Sequence, residues 1–151
     1  MRDCLDDASE ELKRADHLMY VSLKYTRTVD VFRSLQERLI EALRIAIDGL
    51  LDKAKSEGRI TDIPQSPKLK TEEVKRVYSD DENVLEMIAF YLDLRRLNKA
   101  PFTRSSEFRR HVTMTSTLPT GEVVETTIDS IEEDFKKAKE EIAKLKERYV
   151  E

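Results

Sequence analysis

Residues 28–56 read TVDVFRSLQERLIEALRIAIDGLLDKAKS. Asp30, Ser34, Glu37, Glu41, Arg44, Asp48, Asp52 and Lys55 recur in this stretch at spacings of three and four, which aligns them along one side of an α-helix. Between Leu39 and Leu51 every other position is apolar or glycine. A helix that shows water only a narrow strip must be covered by neighbours over most of its circumference. The segment therefore predicts the central helix of a bundle, and the remaining chain is expected to supply its cover.

On the N-terminal side, Leu5, Ala8, Leu12, Ala15, Met19 and Ser22 follow the same spacing, with Leu18, Val21 and Tyr25 widening the stripe, so residues 1–25 predict a first helix. Asp6, Asp7, Glu10 and Glu11 crowd its first turns, where the helix dipole favours negative charge. One helix from residue 5 to 56 would be about 75 Å long at 1.5 Å per residue. A break is therefore expected at Lys24-Tyr25-Thr26-Arg27-Thr28, where β-branched threonines weaken the helix and Thr28 can cap the next one. The alternative is a continuous rod that dimerises.

On the C-terminal side, Gly58 ends the central helix and residues 58–70, with Pro64 and Pro67, read as a loop. A short helix is expected from Thr71 to Tyr78. Ser79-Asp80-Asp81-Glu82 has the form of a capping box and opens a helix to about Asn98, apolar at Val84, Leu85, Met87, Ile88, Ala89, Phe90, Tyr91, Leu92, Leu94 and Leu97, which predicts a second deeply buried helix. Beyond Pro101 the period changes from 3.6 to 2. Phe108, Val112 and Met114 alternate with polar residues, Pro119-Thr120-Gly121 forms a turn, and Val123 to Ile128 returns, predicting a β-hairpin over about 106–128. The last helix starts at Asp129 or Ser130. Its apolar seam Ile131, Phe135, Ala138, Ile142, Leu145 and Tyr149 is only two residues per heptad wide and suits either the bundle surface or a coiled-coil contact with a second subunit. The expected fold is mainly α: one domain over 1–151, an antiparallel bundle of four main helices plus a short one, with the hairpin inserted between the last two long helices.

Composition narrows the function classes. One cysteine, Cys4, allows no disulfide within the chain, and two histidines with no paired-cysteine motif argue against a zinc centre. No apolar run approaches the roughly 20 residues that span a bilayer, and the acidic start lacks the basic flank of a signal peptide, so no membrane and a cytoplasmic location are expected. Charged residues make up 38% of the chain, against two Asn and two Gln, a bias of heat-adapted proteins. The three glycines, at 49, 58 and 121, cannot build a phosphate loop or a nucleotide fingerprint. No pair of carboxylates sits on an otherwise apolar face, where acid–base catalysis would need it. Neither a catalytic residue nor a metal or other cofactor is expected. A wide apolar helix surface, a narrow outer seam and a hairpin that needs cover point to protein–protein contacts, with a homodimer expected.

One charge asymmetry stands out. From Arg95 to His111, six cations (Arg95, Arg96, Lys99, Arg104, Arg109, Arg110) face one acid, Glu107, for a net charge of +5. With −4 for the whole chain, the remainder carries −9. Such an island either neutralises the acidic N-terminus or last helix in a neighbouring layer or subunit, or marks a surface for an anion, RNA or an acidic protein partner. Tyr25-Thr26-Arg27-Thr28 and Phe102-Thr103-Arg104-Ser105 share the order aromatic, Thr, Arg, hydroxyl, and both lie at the ends of long helices. If the central helix runs antiparallel to the helix ending at Asn98, its start lies beside the other's end. Lys24, Arg27 and Thr28 would then meet Arg95, Arg96 and Arg104, with Arg109 and His111 near, as an anion or partner site.

Arg104 and His111, with six residues between them, resemble the Arg-x(4–6)-His motif of HEPN-domain proteins, small helical bundles that include RNases. The resemblance covers these two residues and the helical class. It implies an RNA-cleaving role for Arg104 and His111; in that family the motif belongs to a helix, whereas His111 here falls in a predicted strand.

Overall fold

The computed structural model describes residues 1–150 and is mainly helical, with a small three-stranded antiparallel sheet. The first helix, α1 (Arg2–His17), continues through a π-helical turn (Leu18–Ser22) and a last α-helical turn (Leu23–Tyr25). The chain leaves helical geometry at Thr26, and α2 (Val29–Ser56) starts after Thr28, so the expected break is present and no single rod forms. Then follow α3 (Pro67–Val77), α4 (Glu82–Lys99), β1 (Phe102–Ser105), β2 (Thr113–Thr117), β3 (Val123–Thr126) and α5 (Ile128–Tyr149).

α2 is the central element: it packs on α1, α3, α4, α5 and β2. Phe32, Leu35, Leu39, Ala42, Leu43, Ala46, Leu50 and Leu51 are fully buried along it. Its polar strip is tied into a row, Arg44 donating to Glu41 at 2.9 Å and to Asp48 at 2.7 Å, while Lys70 from α3 reaches Asp48 at 3.0 Å. Gly49 is required by the approach of α1: a Cβ there would lie 2.9 Å from the Cβ of Cys4. α4 is less enclosed than its sequence suggests, since Ala89 faces water and Leu85, Leu92 and Leu97 are only half-buried.

The seam of α5 is covered by the chain itself. Ile131, Phe135, Ala138, Ile142 and Leu145 are buried, and the helix packs on α1, α2 and α4. Asp81 ties the far end of α5 to the start of α4. One carboxylate oxygen accepts the backbone N–H groups of Asn83 and Val84, and the other accepts from Arg148 Nε at 3.0 Å and from the Tyr149 hydroxyl.

Several local expectations need correction. The sheet has three strands, in the order β1-β2-β3, in place of a hairpin. Phe102 pairs with Ser116 and Ser105 with Thr113, so the residues just after Pro101 are an edge strand. The first predicted strand starts at Thr113, and residues 106–112 form a loop in which Ser106 and Phe108 adopt positive φ of 55° and 65°. Alternation in that loop imitated a strand. Val112, Met114 and Ser116 are the buried row, and β2 lies on α2. α3 starts four residues before Thr71, because Ser66 caps it through the Leu69 N–H and Pro67 fits its first turn. The caps of α4 and α5 are Asp81 and Thr127, the latter in a reciprocal pair with Ser130.

Candidate functional site

Thr28 stands at the N-cap of α2, but its side chain makes no capping bond. The exposed donor is served from 78 residues away: Glu107 accepts from the Val29 N–H at 3.3 Å. Arg104, the neighbouring cation on β1, reaches Asp30 in the first turn of α2 at 2.9 Å and Glu107 at 3.8 Å. A third tie is backbone to backbone, the Phe108 N–H donating to the Arg27 carbonyl at 2.7 Å. Loop 106–112 is thereby fastened to the link between α1 and α2, bringing together two stretches that the sequence marked separately.

The expected convergence is only partial. Arg95 lies over the ring of Tyr91 on its own helix, 5.6 Å from the centroid, and Arg96 pairs with Asp93 at 3.0 Å, so both are held along α4. Arg104, expected in an unneutralised cluster, is neutralised by Asp30 and Glu107, carboxylates of the α2 start and of its own loop. Thr28 is buried, 8% exposed. Lys24 lies over the ring of Tyr25. Arg27, Arg110 and His111 line one cavity, and Arg109 is exposed beside them in sequence. Arg104 and His111 do not share a helix, as the RNase-like motif would require: one is on β1, the other in the loop before β2.

What remains after these pairings is specific. Most arginines of the molecule either pair with a carboxylate or lie over an aromatic ring, as Arg44 does with Glu41 and Arg33 does with Phe102. Among the described residues, Arg27, Arg109 and Arg110 have neither kind of partner. All three belong to this junction. The Nε of Arg27 is buried without a hydrogen-bond partner, an arrangement that costs free energy unless something else accepts from it.

Each of the two segments joined here also carries an exposed aromatic ring. Tyr25 is 78% exposed and Phe108 is 75% exposed, the two most exposed large apolar side chains of the described residues. Phe108 holds its ring in water from a left-handed backbone conformation, where a bulky residue costs of order 1–3 kcal/mol. An ordinary loop would place glycine or asparagine there. Sequence reasoning missed both rings, reading Phe108 as the inward face of a strand and Tyr25 as part of the apolar stripe of α1. The repeated order aromatic, Thr, Arg, hydroxyl caught Tyr25 beside Arg27, but its second copy became a β-strand.

Among the described residues no group of His, Cys, Asp and Glu is arranged to hold a metal ion, and no helix is long and apolar enough to cross a membrane. Comparison with known protein families, with curated proteins and with solved structures found no match to this chain, so the functional reading rests on geometry.

Proposed function

We propose that the protein binds single-stranded nucleic acid across the Tyr25–Phe108 surface. The observation that carries this reading is the coincidence of two exposed rings with the arginines that the rest of the fold leaves unneutralised. Bases stack on aromatic faces whatever their sequence, and arginines track the phosphates between them. A single strand fits better than a duplex, because stacking needs bases with free faces. Tyr25 and Phe108 serve as stacking platforms, and Lys24, Arg27, Arg109 and Arg110 as phosphate contacts. The charge-rich, amide-poor composition agrees with a heat-adapted protein of the cytoplasm, where such strands are met.

Binding of a labelled RNA 12-mer, followed by fluorescence anisotropy, tests the proposal. With these four cations engaged, the logarithm of affinity should fall against the logarithm of salt with a slope of roughly −3. Phe108→Ala and Tyr25→Ala should each weaken binding by about 1–3 kcal/mol, the usual worth of one stacked base. No binding in 50 mM salt, or full affinity in both alanine variants, overturns it.

Self-association is the second reading. The features that suggested it, the α5 seam and the apolar face of the sheet, are covered within one chain. What supports it now is Val21, 41% exposed and one helical turn before Tyr25. Sedimentation at micromolar concentration separates the two, since a 17.6 kDa species that still binds RNA needs no partner copy.

A further inference from the structure

A cavity of about 660 Å³ is lined by Arg27, Arg110, His111, Thr113, Thr127, Ile128 and Asp129. It lies where the α1–α2 link, the loop before β2 and the start of α5 meet. Two of the three arginines without a carboxylate face it, and one of them carries the buried, unpartnered Nε. Besides that buried Nε, the two guanidinium groups carry N–H donors in fixed forks that suit the oxygens of a phosphate. His111 and the hydroxyls of Thr113 and Thr127 add polar groups, although Thr127 already accepts the Ser130 N–H and Thr113 already donates to the His111 carbonyl. The opposing charge is Asp129, which is exposed and sits in the first turn of α5, where the helix start offsets a carboxylate.

We infer that this cavity takes a phosphate monoester, such as the terminal phosphate of a nucleotide. A monoester carries about −1.5 to −2 near neutral pH and three terminal oxygens, against −1 for a backbone diester. It therefore matches two arginines that nothing else neutralises. The inference rests on the single-strand reading, of which it names the substrate end: a strand bearing a terminal phosphate, or a free mononucleotide with the same group. A strand lying across Tyr25 and Phe108 would then be anchored at one end and stacked along the rest.

The test compares one RNA 12-mer with a 5′-phosphate, with a 3′-phosphate and with hydroxyls at both ends, alongside uridine 5′-monophosphate and uridine, using the full chain and Arg110→Gln. One phosphorylated strand should bind at least 10-fold more tightly than the hydroxyl strand, and Arg110→Gln should reduce that ratio to about 1. Equal affinity for all three strands overturns the phosphate inference and leaves single-strand binding standing. If no strand binds but the mononucleotide does, in an Arg110-dependent way, the cavity assignment stands for a free nucleotide and the strand reading falls. Silence from every probe removes both. Asp129→Asn gives an independent arm that keeps the arginines: removing the opposing charge should tighten the phosphorylated ligand about 2- to 3-fold and leave the hydroxyl strand or uridine unchanged. Unchanged or weaker phosphate binding in that variant also counts against the inference.

Discussion

Two helices of this protein begin against a carboxylate, and the two arrangements differ in where the carboxylate comes from. At the start of α4 it is Asp81, the residue before the helix, 5% exposed and engaged by two backbone N–H groups, a guanidinium and a phenol. At the start of α2 it is Glu107, which comes from a loop beyond β1 and is shared with Arg104. A local cap fixes where a helix starts and, in this case, where α5 ends. A remote cap couples the start of the helix to a distant loop, so it positions that loop as much as it stabilises the helix. The first junction belongs to the architecture and the second to the surface proposed to bind.

The sharpest way to break that contrast is to remove each carboxylate in turn. Asp81→Ala leaves two helix N–H groups and the Tyr149 hydroxyl without an acceptor, and should cost about 2 kcal/mol in urea unfolding. The Arg148 pair adds little, because that side chain is 58% exposed. A loss under 0.5 kcal/mol would mean that Asp81 is a bystander.

A smaller effect is expected from a carboxylate that lacks such donors. Burial pushes the carboxyl of Asp134 on α5 up to about 6, with Glu133 adding and Lys137 opposing. Below roughly pH 4, the ordinary aspartate value, the group is protonated in both folded and unfolded chains and costs nothing. Between there and pH 6 the folded chain holds a proton that the unfolded chain has released, so stability falls as pH rises, then levels above 6. Because Asp134 is only half-buried, the drop should be on the order of 1 kcal/mol. Asp134→Asn should raise stability at pH 7 by that amount and remove that part of the pH dependence; unfolding curves at pH 4, 5 and 7 measure it, and an unchanged profile refutes the assignment.

The smallest change in stability belongs to the remote cap. Glu107→Gln should alter global unfolding by no more than roughly 0.5 kcal/mol. Its signature is local: hydrogen exchange at the Phe108 amide should accelerate, since the loop is tied to the α1–α2 link at that point. Unchanged exchange at Phe108 would show that the loop holds its shape without Glu107.

The same division explains what was legible in the sequence. The narrow wet strip of α2, the break before Val29, the helix opened at residues 79–82 and the seam of α5 all follow from spacing within one segment, and each is present. Charge counting found the island but not its fate, because whether Arg104 meets Asp30, or Arg95 meets Tyr91, depends on packing between segments. β1 is four residues long and lies at the sheet edge, too short to show a period of its own. Phe108 was misread for a sharper reason. Alternation assumes extended backbone, and a single left-handed residue turns an inward ring outward. The start of α3 was misread as loop, although Ser66-Pro67 is a cap followed by the one residue whose missing N–H costs nothing in a first turn.

The π-helical turn at Leu18–Ser22 is equivalent to one residue inserted into an α-helix. Each residue of an α-helix advances the azimuth by about 100°, so that insertion rotates everything between it and Thr26 relative to the body of α1. Leu23 still reaches the core, while Lys24 and Tyr25 are delivered to the outer face. The aim of the Tyr25 ring is thus set by chain length upstream, independently of which side chains fill the turn. Loss of a single codon there would redirect the ring without altering a residue of the surface itself, and gain of one is a short route by which a plain helical bundle could have acquired it.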